Sequence, residues 1–337
     1  MSSQISIAFQ TDKPIAAYGP LAKTVEEYGF STVSVYNDML YQPAWLPLME
    51  MAHATERIEI GVAAVNPFTC HPINIASNIA LIDEASQGRA YLGLARGGWL
   101  DYVGLHPQRP IAALKEAFGS IHHLLAQKTE PFVANQFPLA GGEALRWQIL
   151  RTDIPLLLGT WGPKTIHACI EHINAVKIGG TANPDVVPYL KQAIDDAAGK
   201  ANRPAAKIQL VIGAVTVVDE DGDAARQLAK REVALYLPII AQLDQSLDIE
   251  PDRLERINAA AESFDFERAA RDVSDELLAK LAFVGTPSEV AAQAVALFEA
   301  GTERVEFGTP HGLSTQGGLR LLGEKVLPIL KPYLEGQ

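Results

Sequence analysis

The stretch IEIGVAAVNPFTCHP (58–72) decides how the rest of the chain is read. Ile58, Ile60 and Val62, then Ala63, Ala64 and Val65, form a nearly continuous apolar run. That is the pattern of a strand buried on both faces, as parallel strands are. Asn66-Pro67 ends it, because proline cannot donate to a sheet ladder and is not expected inside a central strand. A helical pattern begins at Pro72 and continues to residue 86, closing on Ser86-Gln87-Gly88. A strand, a polar exit and a helix make one βα unit. The two small alanines near the strand end are more than a connection needs, and they suit a surface that a ligand lies against.

The unit repeats in both directions. Strand-like runs occur at 5–10, 31–37, 58–65, 90–95, 154–160, 175–180, 208–218 and 304–309. Helical patterns follow most of them, at 14–28, around PLMEMAHAT, and at 72–86, 109–127, 163–172, 184–199 and 317–334, with a long mostly helical stretch from 221 to about 300. Alternating β and α favours a doubly wound sheet or a barrel, and a count of eight favours the (β/α)8 TIM barrel. The 337 residues suit one such domain, 1–337, with insertions. A polar segment at 128–152 reads as an excursion with a hairpin, and 236–283 as a helical insertion near the active face.

Composition narrows the function. Hydrophobic residues make up 48% and charged residues 20%, a globular profile. A net charge of −12 lacks the basic stripe that nucleic acid requires. No apolar run reaches membrane-span length and no secretory signal opens the chain, so a cytoplasmic protein with no membrane partner is expected. Cys70 and Cys169 have no metal-ligand spacing, and no metal is expected. A thiol of this kind is more often a small buried residue than a nucleophile. HExxH, GxSxG and P-loop patterns do not occur.

In a barrel of this class the site lies at the C-terminal strand ends. Those ends supply Gln10, then Asn37 and Asp38, then Ala63 to Asn66, then Arg96 to Trp99, then Gly159 to Lys164, Gly179 to Thr181, and Thr309 to Gly312. GTWGPKT (159–165) leaves a strand and opens a helix with Gly162 and Pro163. The N–H groups of Lys164 and Thr165 would face the cavity and, with the Lys164 charge, attract a phosphate. IGGT (178–181) could add further N–H groups. The plain alternative is ordinary turn chemistry. GLARGG (93–98) does not match the dinucleotide fingerprint, and Gly97-Gly98 would clear space for a flat ligand. Asp38 could accept hydrogen bonds from a ring or relay a proton, or simply cap a helix. His71 and His311 lie just past strands and are acid/base candidates, although a lone histidine is more often structural.

Together these segments resemble the luciferase-like flavin and deazaflavin superfamily, and most nearly its coenzyme F420-dependent methylenetetrahydromethanopterin reductase-like branch. The likeness is carried by GVAAVNPFTCHP (61–72), ASQGRAYLGLARGG (85–98), WGPKTIHACIEHINAVKIGG (161–180) and VSDELLAKLAFVGTPSEVAAQ (273–293). The resemblance implies an oxidoreductase that moves a hydride between F420 and an organic substrate, or alternatively an FMN-dependent monooxygenase using reduced flavin and O2. It implies a non-prolyl cis peptide in the third strand, Ala63–Ala64 here, behind the cofactor ring. Cofactor contacts would fall on Asn37, Asp38, Ala63, Ala64, Asn66, Gly97, Gly98, Gly159, Thr160, Gly162, Pro163, Lys164, Gly179, Gly180 and Thr181. Asp38, His71 and His311 are the catalytic candidates, with Trp99 also on the substrate side, and a small-molecule substrate and a homodimer are expected. Two departures limit the likeness: Met39 follows Asp38 where the branch often has His, and Gly98 stands where related sugar-phosphate dehydrogenases place Glu. A cofactor carrier without turnover is therefore a third reading.

Overall fold

The computed structural model describes residues 3–142 and 144–334. Among the described residues the strands are β1 (Gln4–Phe9), β2 (Thr32–Val35), β3 (Glu59–Val65), β4 (Ala90–Ala95), β5 (Leu156–Gly159), β6 (Ala175–Gly179), β7 (Gln209–Val218), β8 (Ala282–Gly285) and β9 (Arg304–His311). Their order is β6-β5-β4-β3-β2-β1-β9-β7-β8, with β6 also pairing β7. The fold is a (β/α)8 barrel, and its eight strands, all but β8, are those the apolar runs mark.

β8 corrects the sequence reading, which took residues 221 to about 300 as mostly helical. Ala282–Gly285 pairs in parallel with the C-terminal end of β7, from Val215↔Ala282 to Val218↔Gly285. Four residues between a helix and the Thr286 cap are too few to show a period. They form a strand because ten-residue β7 outruns its other neighbours and offers an edge to pair with. The helical insertion expected over 236–283 holds helices Leu237–Leu243, Pro251–Glu262, Phe266–Arg271 and Asp275–Leu281, and its last two residues begin β8. The described residues of the 128–152 segment are irregular, with an antiparallel bridge at Phe132↔Leu139.

The chain divides into two compact units, each discontinuous in sequence. The first comprises Phe9–Lys177 and Ala193–Gln209, and the second Met1–Ala8, Ile178–Gln192 and Leu210–Gln337. In the first unit the parallel ladder runs through Val33↔Ile60, Ile60↔Ala90 and Leu92↔Leu156, with the apolar side chains buried. Polar side chains set where these strands begin. The Glu26 carboxylate accepts the N–H groups of Glu56, Arg57 and Ile58 at 3.0, 2.6 and 2.9 Å, which fixes the chain into β3. Asp83, 1% exposed, accepts a two-pronged hydrogen bond from Arg151 and the N–H of Ala90, which ties the irregular segment to the start of β4. In the second unit Phe283 meets Phe307 edge to face at 5.1 Å, and a Thr286/Glu289 capping box starts helix Pro287–Ala300.

Candidate active site

The site grows from the end of β3. The Ala63–Ala64 peptide is cis, at the bond the family resemblance implies. Pairing with β4 passes from Val62↔Leu92 to Val65↔Leu94, so Ala63 and Ala64 together face one residue, Gly93, and form a bulge. Gly93 is the residue that makes room for it. A Cβ there would lie 2.5 Å from the Val62 carbonyl oxygen and 3.1 Å from the Ala63 Cα. Next to the bulge, Ala95 pairs with Gly159, and a Cβ on Gly159 would lie 3.2 Å from the Ala95 Cβ and 3.9 Å from that of Ala64. At or next to the ends of three neighbouring strands, Ala64, Ala95 and Gly159 are partly exposed and carry no side chain longer than a methyl. The result is a flat, small-residue platform.

The polar exit closes on itself. Asn66 Oδ1 accepts the N–H groups of Phe68 and Thr69 and the Thr69 hydroxyl at 3.0, 2.9 and 3.1 Å. Gly97 packs on the Asn66 amide: its φ is +86°, and a Cβ there would sit 3.0 Å from the Asn66 Cγ and Nδ2. Gly98 faces open space. The space expected at Gly97-Gly98 is therefore found at Gly98, while Gly97 is a packing glycine. His71 is exposed and caps helix Pro72–Ala85, its Nδ1 accepting from the Ile73 N–H at 3.2 Å.

A cavity of about 530 Å³ opens here, lined from the β2 exit by Asn37, Asp38, Met39, Leu40, Tyr41, Pro43 and Trp45. The β3 exit adds Ala64, Asn66, Thr69 and Cys70, and the β4 exit Ala95, Gly97, Gly98 and Trp99. Asp38 Oδ2 accepts a 2.8 Å hydrogen bond from Gln10 Nε2. Gln10 Oε1 in turn accepts the Thr11 N–H at 2.9 Å, so the amide can present only its NH2 to Asp38. Asn37 Oδ1 accepts the Ala44 N–H at 3.0 Å and holds the loop. Burial pushes the Cys70 thiol up, and the Cys169 thiol up to about 12, so neither is a ready thiolate. Leu40, Tyr41, Trp45 and Ala95 were not picked out in the sequence. The signal was the long aromatic-rich connection after β2, which a simple turn would not need. Lys177 on β6, in an otherwise apolar run, is 8% exposed, with its Nζ 5.1 Å from the Tyr36 ring centre.

The expected phosphate loop is altered in detail. Gly162 has φ −88°, an ordinary value, so no unusual backbone angle calls for glycine there. Its N–H donates to Thr160 Oγ1 at 3.1 Å, and the Thr165 N–H donates to the Gly162 carbonyl at 2.9 Å. Thr165 therefore does not offer its amide to a ligand as expected, while Pro163 and Lys164 are exposed. The helix ends at Cys169, short of His172. Within the second unit, Gly180 (φ +84°) and Thr181 both donate their N–H groups to the Gly213 carbonyl, at 2.8 and 3.4 Å. Two of the N–H groups that IGGT could add for an anion are therefore spent on the Gly213 carbonyl instead. Gly179 is exposed. His311 is fully buried in the same unit, its Nε2 3.0 Å from the Ala8 carbonyl oxygen.

Residues 2–304 match the luciferase-like monooxygenase family. The chain belongs to this family. It is 27% identical over 316 residues to the 5,10-methylenetetrahydromethanopterin reductase of Archaeoglobus fulgidus, covering 92% of this chain and 94% of that one. Among solved structures it superposes on the coenzyme F420-dependent tetrahydromethanopterin reductase of Methanopyrus kandleri with a TM-score of 0.88, at 24% identity, covering 97% and 99% of the two chains. An F420-dependent secondary alcohol dehydrogenase aligns with a TM-score of 0.80, at 18% identity, over 98% and 99%. As a luciferase-like family member the chain is an oxidoreductase. Among the described residues no helix is long and apolar enough to cross a membrane, and no group of three or more His, Cys, Asp and Glu could hold a metal ion.

Proposed function

We propose that this enzyme transfers a hydride between coenzyme F420 and a small organic substrate at the β2–β5 strand ends. The observation that carries the reading is the platform of Ala64, Ala95 and Gly159 beside a cavity that contains Asp38. A flat ring needs a face without projecting side chains, and longer residues at any of these positions would occupy it. When bound, F420 supplies the hydride chemistry at its C5 carbon. The 27% identical Archaeoglobus fulgidus reductase supports the F420 branch.

The chain's own residues bind, orient and handle protons. Ala63 and Ala64 support the ring face, with Asn66 and Gly97 bracing the bulge exit. Gly159, Thr160 and Lys164 hold the phosphate-bearing tail, with exposed Lys164 giving local positive charge on a chain of net charge −12, while the Gly162 amide is spent on Thr160 and Pro163 has none to offer. Gly179, Gly180 and Thr181 are left out of this set, because two of their amides already serve the ladder. Asp38 is the acceptor for a ring or substrate N–H or O–H, held in place by Gln10. Asp38 lines the cavity and His71 and His311 do not, so Asp38 takes the proton-handling role.

Titration with F420, followed by deazaflavin fluorescence, tests the reading. No saturable binding would sink it. The family name keeps an FMN-dependent monooxygenase as the second reading. Tight FMN binding with flavin-dependent oxygen uptake, and no F420 binding, would select that one. A homodimer is the proposed assembly on the general ground that most soluble oligomers are symmetric pairs, and sedimentation velocity would test it.

A further inference from the structure

Among the described residues, seven non-glycine residues have positive φ: Leu40, Gln87, Trp99, Gln127, Asn202, Phe264 and His311. Four of them, Gln87, Gln127, Asn202 and Phe264, lie two residues past a helix end, where a left-handed residue is routine. His311 ends β9. Leu40 is the third residue of a turn that the Tyr41 N–H closes on the Asp38 carbonyl at 3.3 Å, and Trp99 precedes the short helix Leu100–Val103; a left-handed residue at such a turn position is usually Gly or Asn, not a bulky apolar one. Leu40 (φ 69°) follows β2 and Trp99 (φ 51°) follows β4, on two separate loops. Both are large and apolar, and they remain 82% and 44% exposed. Left-handed backbone is unfavourable for bulky side chains, and exposure means that burial does not compensate. Both line the same cavity.

The rest of the lining points to what the cavity takes. Met39, Tyr41, Pro43 and Trp45 continue the apolar wall, and Asp38 is the one charged residue in it. The lining holds no Lys or Arg; Arg96 is exposed on the β4 loop but does not line the cavity. A desolvated anion in the cavity would meet the like charge of Asp38, and the described lining residues offer no cation against it.

We propose that Leu40 and Trp99 are the jaws of a substrate clamp, and that the substrate is an uncharged molecule with a flat apolar part. The strained backbone at both positions projects apolar surface over the cavity. This rests on the reading of the cavity as the substrate site, and its test is independent of cofactor and turnover. The probes are 2-naphthol and 2-naphthyl phosphate, the same ring with and without the anion, titrated calorimetrically into the full chain without F420. The variants are Leu40→Asn and Trp99→Asn, since Asn adopts left-handed backbone readily and removes the apolar surface.

The wild type should bind 2-naphthol at least about tenfold more tightly than the phosphate, and each variant should weaken naphthol binding by about fivefold or more. Both variants should melt at or above the wild-type temperature. Equal or tighter binding of the phosphate, or variants that bind naphthol like the wild type, would overturn the clamp. So would variants that melt lower, which would make the side chains part of the fold's packing. A changed sedimentation coefficient in the variants would assign the apolar lip to a contact between copies, and would equally overturn it. An F420 titration run alongside separates the two readings: absent F420 binding with the naphthol pattern intact removes the cofactor reading and leaves the clamp.

Discussion

Alanine at Gly93 tests the link from one glycine to the site. Its methyl carbon would fall 2.5 Å from the Val62 carbonyl oxygen, 3.1 Å from the Ala63 Cα and 3.2 Å from Leu157 Cδ2. Carbon contacts are most favourable at about 3.5–4.0 Å, so the bulge must retreat by roughly 0.5–1 Å. The two nearest atoms are backbone and cannot rotate away. Overpacking of this kind costs about 1–3 kcal/mol. With an unfolding entropy of about 2.1 cal/mol/K per residue, a cooperative transition of the whole chain would melt roughly 1–4 °C lower. The platform moves with the bulge, and a displacement of about 1 Å at a reacting site can lower turnover by up to about a hundredfold. Differential scanning calorimetry and F420 titration read the two effects. Gly98→Ala is the control: nothing lies within 4 Å of its Cβ, and it should stay within about 0.5 kcal/mol of wild type. If Gly93→Ala melts within about 1 °C of wild type and binds F420 with unchanged affinity, the account of the bulge is wrong.

Further outcomes follow from the polar network. Asp83→Ala removes the Arg151 pair and the Ala90 acceptor; because Arg151 is partly exposed and regains water, urea unfolding should show a loss of about 2–4 kcal/mol. Burial pushes the Glu26 carboxyl up, but the N–H groups of Ile58, Arg57 and Glu56 and the Arg57 charge together hold it below its ordinary 4.5. Its stabilisation is therefore present above about pH 4.5 and lost as pH falls through the lower folded value, and Glu26→Gln should flatten the acid limb of the stability profile. Burial, with the nearby His122 charge, lowers the His172 pKa below 6.5, so its contribution is complete above that pH and declines as pH falls; His172→Gln should remove that part of the decline. Gln10→Leu removes the donor that holds Asp38, and turnover should fall by about tenfold while F420 affinity changes less than about threefold. Loss of both to the same extent would mean that Gln10 supports the fold rather than Asp38.

The sequence by itself determined the alternation of apolar runs and helical patterns, and with it the (β/α)8 class and the strand ends. Burial on both faces is a local demand, so it leaves a local record, as in IEIGVAAV. The placement of Asp38 and of GTWGPKT at strand ends follows from that record. The Ala63–Ala64 geometry came from family resemblance, since periodicity carries no sign of it. Tertiary structure alone decided the rest. Ala64, Ala95 and Gly159 form one small-residue surface, but the chain separates them by 31 and 64 positions, and only the β3-β4-β5 register joins them. Gly93 looks like any strand glycine until Val62 and Ala63 press on it. Gln10 meets Asp38 across 28 residues, and Gly180 and Thr181 lose their amides to a strand that begins at residue 209. The strain at Leu40 and Trp99 is a property of φ, and φ is set by how the two loops leave their strands. Local composition records burial; hydrogen-bond partners, bulge register and backbone handedness arise only when distant segments share one sheet.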